Sequence, residues 1–392
     1  MIRATGGFGV VDDNGIALWF DDIQGSFARD TGPVANGGYA IKHLFGLGYF
    51  GRTLGASAFW CVGFDWQPNF ANGYSGGGWV NNNFLQIGQV GASQLSLEFL
   101  PSGKIAVVYG GDGSAGSGTI VNMTMETYTP QQWAGYFEFR CSGFMGNTVF
   151  QLWRNDTLVC HGTQATTALP DTITFASNTS ISGFGVEFAN IIILDNQGPA
   201  PWNDRLGPVA ITTMSPIADA SGQWLCTINS MSFGPPIFSA VRDVPFDPNG
   251  SPDCAYSYIY PGSTAAEQYF TMNPAPCFGL VLGVMVNMCF RGYPTYPAFC
   301  TAQVQVAGAT TVIGQSQSNY AAGGSYPFGF HTFQQFIGLN PSTSTNWNAA
   351  GINGAFWGMA ADVGAQVTQF YIEQIVSRRN VKYDCGQSSY SF

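Results

Sequence analysis

Apolar and polar side chains alternate with a period of two along much of this chain. Leu95-Ser96-Leu97-Glu98-Phe99 has the pattern of a strand with one face buried. Pro101-Ser102-Gly103 then supplies turn chemistry before Lys104-Ile105-Ala106-Val107-Val108-Tyr109, which predicts a hairpin. Tyr136 to Cys141 repeats the alternation, with Glu138 and Arg140 on the polar side. Val149 to Trp153 and Thr157 to Cys160 flank Arg154-Asn155-Asp156, a tight-turn candidate. Ile191-Ile192-Ile193-Leu194 reads as a strand buried on both faces. After Asp195 the pattern breaks, and the stretch from Asn196 to Asp204, with two prolines and a glycine, predicts a linker.

Strand-like segments resume at Val209-Ala210-Ile211, from Val281 to Met288, at Gln303 to Val306 and at Thr310 to Ile313. Gly- and Asn-rich stretches such as Ser75 to Gly78 and Ala321 to Gly324 separate strands. Val367, Phe370, Tyr371 and Ile375 fit a helical stripe as well as a strand. No repeat of fixed period occurs. The reading is an all-β chain built from two β-sandwiches in tandem.

Length and composition sharpen that picture. The 392 residues exceed what one hydrophobic core usually organises, so two domains are expected. Only 9% of residues are charged while 15% are aromatic, against about 25% charged in typical soluble chains. The formal net charge of −10, without a basic patch, argues against a nucleic-acid partner. The first residues carry no apolar signal core, and the longest apolar stretch, Cys277 to Phe290, is interrupted by Gly279, Gly283 and Asn287. A bilayer span needs about 20 residues, so neither a secretory signal nor a membrane segment is expected. The nine cysteines include no CxxC pair and no Cys–His zinc spacing. They read as buried thiols, or as disulfides if the protein works outside the cell; the odd count leaves at least one unpaired within the chain.

From about Phe50 to Asp195 the chain resembles a concanavalin A-like (LamG-type) jelly roll. The central hairpin, the strand–turn–strand from Leu152 to Val159 and the closing run from Phe188 to Asp195 carry the resemblance. Asn190 stands where such domains often carry an acidic residue. Beyond Asp195 the chain resembles a group of tailed-bacteriophage virion proteins, in which the jelly roll leads directly into a strand opened by an Asn-Asp and Leu-Gly element. Here that element is Asn203-Asp204-Arg205-Leu206-Gly207-Pro208-Val209. Met214 to Trp224 and Pro252 to Tyr258 keep the order of that group's second domain. The resemblance implies a jelly roll over 50–198 and a second sandwich over 199–392. Residues 1–49 read as a docking segment or as part of the first sandwich.

Candidate chemistry is sparse. The paired acids of a glycosidase strand are missing: Glu98, Glu126, Glu138 and Glu187 stand apart, and Asp12-Asp13 and Asp21-Asp22 are neighbours that a strand would point to opposite faces. His43, His161 and His331 lie near no nucleophile elbow, and the glycine runs lack a phosphate-loop lysine. No catalytic residue, metal ligand or cofactor is expected. Most tryptophans should be core; Trp66 and Trp79, in or beside a Gly/Asn-rich segment, are the candidates for a surface platform that stacks sugar rings or a partner. The leading expectation is a non-enzymatic structural component of a tailed-phage virion, assembled in the host cytoplasm. It would pack against copies of itself and other capsid, neck or tail proteins. The alternative is an adhesin whose first domain binds host-surface glycan.

Overall fold

The alternating segments assemble into antiparallel sheets. The computed structural model describes residues 1–6, 22–24, 27–30, 40–43, 47–70, 82–89, 92–111, 116–178, 184–222, 224–228, 231–233, 237–242, 257–262, 266–275, 280–292, 298–318 and 331–379. The chain divides into two compact units that part between Pro208 and Val209. Among the described residues no helix is long and apolar enough to cross a membrane.

In the first unit the strands are β1 (Ile2–Gly6), β2 (Asp22–Gln24), β3 (Phe27–Asp30), β4 (Ala40–His43), β5 (Leu47–Thr53), β6 (Phe59–Phe70), β7 (Asn82–Gln89), β8 (Ala92–Phe99), β9 (Ile105–Tyr109), β10 (Thr119–Met123), β11 (Gly135–Ser142), β12 (Asn147–Arg154), β13 (Thr157–Ala165), β14 (Thr172–Asn178) and β15 (Phe184–Leu194). An eight-stranded sheet runs β13-β12-β11-β6-β15-β4-β3, with β1 also paired to β15. A seven-stranded sheet runs β10-β9-β8-β7-β14-β5-β2. Aromatic rings fill the space between them: Phe64 and Phe188 of the first sheet meet Phe175 of the second at 5.6 and 5.3 Å. The first 49 residues therefore contribute strands to both sheets, because pairing satisfies the backbone groups of each sheet's edge.

The expected hairpins form as the turn residues dictate. Leu97 faces Val107 across β8 and β9, and Gly103 takes φ = 77° in the turn. A side chain there would come within 2.7 Å of the Tyr128 carbonyl, so only glycine fits. Between β12 and β13, Asn155 and Asp156 take φ = 45° and 67°, the left-handed pair that a two-residue hairpin turn requires.

The second unit holds β16 (Val209–Met214), β17 (Pro216–Gly222), β18 (Leu225–Ile228), β19 (Met231–Phe233), β20 (Ser257–Tyr260), β21 (Ala266–Met272), β22 (Val281–Gly292), β23 (Ala298–Val306), β24 (Ala309–Ser318), β25 (His331–Ile337), β26 (Leu339–Asn340), β27 (Thr345–Asn346), β28 (Phe356–Ala361) and β29 (Ala365–Ser377). One sheet runs β19-β18-β20-β29-β22-β25 with β16 beside β29, and the other runs β17-β21-β28-β23-β24. Val284, Val286, Phe370 and Ile372 of the first pack with Phe270, Val304, Trp357 and Met359 of the second. The segment that also fits a helical stripe is β29, buried along its whole length. A strand with no solvent face needs no polar alternation, which is why its period is ambiguous.

The described cysteines, Cys61, Cys141, Cys160, Cys226, Cys289 and Cys300, are all buried. Burial pushes Cys300 up to about 12 and Cys160 to about 11, so both stay protonated and unreactive near neutrality.

Candidate functional site

The chain passes from the second-sheet edge strand β10 to β11 through residues 124–134, and this crossing builds a pocket. Its course is fixed by backbone bonds to the β8–β9 hairpin. Ile105 N–H donates to the buried Thr124 Oγ1 at 3.1 Å, and Tyr128 N–H donates to the Gly103 carbonyl at 2.9 Å. Thr129 and Gln132 then form a reciprocal cap: Thr129 N–H donates to Gln132 Oε1 at 2.8 Å, and Gln132 N–H donates to Thr129 Oγ1 at 3.3 Å. That cap starts a single helical turn, Pro130–Trp133. Trp133 is driven inward, where its indole N–H donates to the Gly103 carbonyl at 2.9 Å. Tyr128 meets it edge-on at 5.0 Å while keeping an exposed side.

Arg154, the last residue of β12, lies over both rings, with Cζ 5.2 Å from the Trp133 centroid and 5.6 Å from that of Tyr128. Its Nη2 donates to the Gln132 and Ala134 carbonyls. Desolvation lowers its pKa, and the nearby Tyr128 and Glu126 charges oppose that shift. Asn155 is oriented by the hairpin turn, with Tyr136 N–H donating to its Oδ1 at 2.9 Å. Together Glu126, Tyr128, Trp133, Arg154, Asn155, Thr157 and Val159 line a cavity of about 230 Å³. Glu126 Oε2 and Arg154 Nε are shielded from solvent and bond no protein group. The lining thus places one cation, one anion and aromatic surface around a single small cavity.

On the other face of β12 lies a separate charged cluster. Arg205 donates to Glu138 Oε2 at 2.6 Å and, through Nη2, to Asp156 Oδ1 at 2.6 Å, and stacks on Trp153 at 4.1 Å. Glu138 Oε1 accepts from the Leu206 and Gly207 amides at 3.1 and 2.8 Å. Arg140 donates to Asp204 at 2.7 Å. Burial pushes the Asp204 carboxyl upward, but bonds from Arg140 and the Arg205 amide outweigh it and hold the pKa below its usual range. The Asn-Asp…Leu-Gly element is thus a strap fastened to the first sandwich, and the linker expected at 196–204 leads into ordered residues of the same unit.

Of the two tryptophans expected to form a surface platform, only Trp66 falls among the described residues, and it is placed otherwise. Trp66 is fully buried, stacked on Phe84 at 4.4 Å. β6 continues past it to Phe70, so sequence proximity to a glycine-rich segment did not place it at the surface. Trp79 lies outside the described residues, as do Trp19, Asp12, Asp13 and Asp21. Of the isolated acids, Glu126 alone enters the pocket. Glu98 is buried, which raises its pKa, with the Gly116 amide as donor. Asn190, at φ = 50°, donates to the buried Asp65 at 2.6 Å; an acid in its place would set two carboxylates against each other. Among the described residues no cluster of three His, Cys, Asp or Glu side chains could hold a metal ion.

No family model matches the chain. No curated protein matches it either. Solved structures align with parts of the chain at low similarity. A sialidase aligns at 14% identity over 40% of this chain and only 15% of its own length, with a TM-score of 0.29. The Ca²⁺/Man-bound exoplasmic/lumenal domain of VIP36 aligns at 8% identity over 52% of this chain and 96% of its own, with a TM-score of 0.34. The CBM2 module of the evolved Dit from Lactobacillus casei BL23 phage J-1 aligns at 11% identity over 48% and 88%, with a TM-score of 0.27.

Proposed function

We propose that the first sandwich is a non-catalytic carbohydrate-binding module and that its site is the pocket formed by the 124–134 crossing and the β12–β13 turn. The observation that carries this reading is the pocket's composition. A cavity of about 230 Å³ suits one sugar ring, Tyr128 offers an aromatic side for the ring's C–H face, and Arg154, Asn155, Thr157 and Glu126 offer hydrogen-bonding groups around it. Burial of Trp133 and the stacking of Arg154 fix that geometry before any ligand arrives, which limits the ordering cost of binding. The full chain is expected to bind a subset of a glycan array. Tyr128→Ala should weaken calorimetric affinity for the best array ligand by about tenfold, roughly 1.4 kcal/mol, without lowering the melting temperature by more than a few degrees. Unchanged affinity in that variant would remove Tyr128 from the site and sink the reading.

A second reading, a structural subunit of a tailed-phage particle, draws on a different observation. Ile120, Met123 and Met125 are 46%, 37% and 88% exposed on and just after the edge strand β10. That strand borders β13 through an Asn122 bond to the His161 carbonyl at 2.6 Å, and Leu158 of β13 is 38% exposed. Apolar residues at this density suit packing against another protein copy. Analytical ultracentrifugation of the full chain is expected to show a self-associated species that Met125→Glu dissociates. A monomer at every concentration would count against it.

A further inference from the structure

We infer that Arg205 is a positioning residue for the pocket, acting through Asp156 to hold the β12–β13 turn; this rests on the carbohydrate reading above. The turn and its flanks supply three lining residues, Arg154, Asn155 and Thr157, while Asp156 between them does not line the cavity. Arg154 and Thr157 face each other as the closing pair of the hairpin. Asp156 instead meets Arg205, whose Nη1 and Nη2 donate to its Oδ1 at 2.7 and 2.6 Å. Arg205 is itself fixed from two further sides, by Glu138 Oε2 at 2.6 Å and by the Trp153 ring at 4.1 Å. A planar guanidinium held by ring stacking and by two carboxylates is a rigid anchor.

The residue type at 156 gives this contact its meaning. The position takes φ = 67°, which glycine adopts without steric cost, so Asn-Gly is the favoured pair for such a turn. Aspartate gives up that freedom and supplies a carboxylate that Arg205 grips. Asn155 is tied to β11, where its N–H donates to the Tyr136 carbonyl at 2.8 Å and its Oδ1 accepts from the Tyr136 N–H at 2.9 Å. Arg154 is tied to the crossing through the Gln132 and Ala134 carbonyls. The turn is thus held by the crossing, by β11 and by Arg205, and releasing the last frees its Asp156 corner, between Asn155 and Thr157. A lining that is ordered in advance loses less freedom on binding, so a looser turn lowers affinity.

Arg205→Ala is a poor test, since it strands the buried Glu138 carboxylate and endangers the fold. Asp156→Gly and Asp156→Asn, each in the full chain, separate the effects. Glycine favours the turn but cuts the tie; asparagine tolerates the left-handed conformation and keeps an oxygen for Arg205. Amide hydrogen exchange over residues 152–158 needs no ligand. Protection there is expected to fall about tenfold in Asp156→Gly, less than about threefold in Asp156→Asn, and to stay unchanged in β15. Affinity on an array of glucose-, galactose- and mannose-terminated glycans should fall about tenfold in Asp156→Gly and be largely kept in Asp156→Asn. Three results would overturn the inference and leave the carbohydrate reading standing: turn protection unchanged in Asp156→Gly, protection lost equally in β15, or a loosened turn that binds as tightly as the parent. A parent chain silent toward every glycan would sink the carbohydrate reading, and the exchange result would then decide alone whether Arg205 holds the turn.

Discussion

Glu138→Ala is expected to lower the stability of the first unit by about 3–5 kcal/mol, read as a shifted transition in calorimetry of the full chain. Glu138 is 1% exposed and serves three donors at once: Arg205 Nη1 on one oxygen, the Leu206 and Gly207 amides on the other. Removing it strands an arginine that is only 16% exposed and leaves two backbone N–H groups in a buried segment without an acceptor. Arg205 retains Asp156 and the Trp153 face, so its charge is not left entirely alone, which keeps the loss within that range. Glu138→Gln separates the contributions. Its amide oxygen still accepts from the two backbone donors, so the loss should be less than half that of alanine. A Glu138→Ala protein that melts within a degree of the parent would show that the strap contributes nothing to the fold. The effect should also reach the pocket, because Arg205 holds Asp156, the turn neighbour of Arg154 and Asn155.

How far the sequence discloses this molecule depends on how each residue meets solvent. Alternating strands announce themselves: β12 alternates because one face is core and the other is not, and β8 and β11 keep the pattern although their polar residues Ser96, Glu98 and Glu138 are themselves buried. The tight turns are equally legible, since Pro-Ser-Gly and Asn-Asp carry their own backbone preferences. β29 is not, because it is buried along its whole length and its buried polar residues Gln366, Thr368, Gln369, Glu373 and Gln374 follow no period of two. The pocket is harder still. Glu126 and Tyr128 come from an irregular crossing, Arg154 and Asn155 from a turn, and Trp133 from one helical turn; no spacing along the chain joins them. One local signal was present. Thr129 and Gln132, three apart, form a capping box, and it could have marked the helical turn that seats Trp133 against Gly103. The Asn-Asp…Leu-Gly element was visible as a pattern, but its purpose required Glu138, which sits more than sixty positions earlier on an interior strand.

Trp66→Ala should cost about 3–5 kcal/mol, and Trp66→Phe less than half of that. The indole is fully buried between the sheets, stacked on Phe84 at 4.4 Å and meeting Phe137 edge-on at 5.9 Å. Burial of a side chain this size removes about 150–250 Å² from water, and alanine would leave a void that neighbouring rings can fill only in part. Phenylalanine keeps most of the packing. It also deletes the indole N–H, which is buried without a hydrogen-bond partner and carries a desolvation cost of about 1–3 kcal/mol, so the smaller void is partly offset. Urea unfolding of both variants measures the difference. Glycan affinity of Trp66→Phe should equal that of the parent, since the ring faces Phe84 and Phe137 rather than solvent. A Trp66→Phe protein that folds normally yet loses glycan binding would mean that this ring, and not the Tyr128 pocket, is where sugar is held.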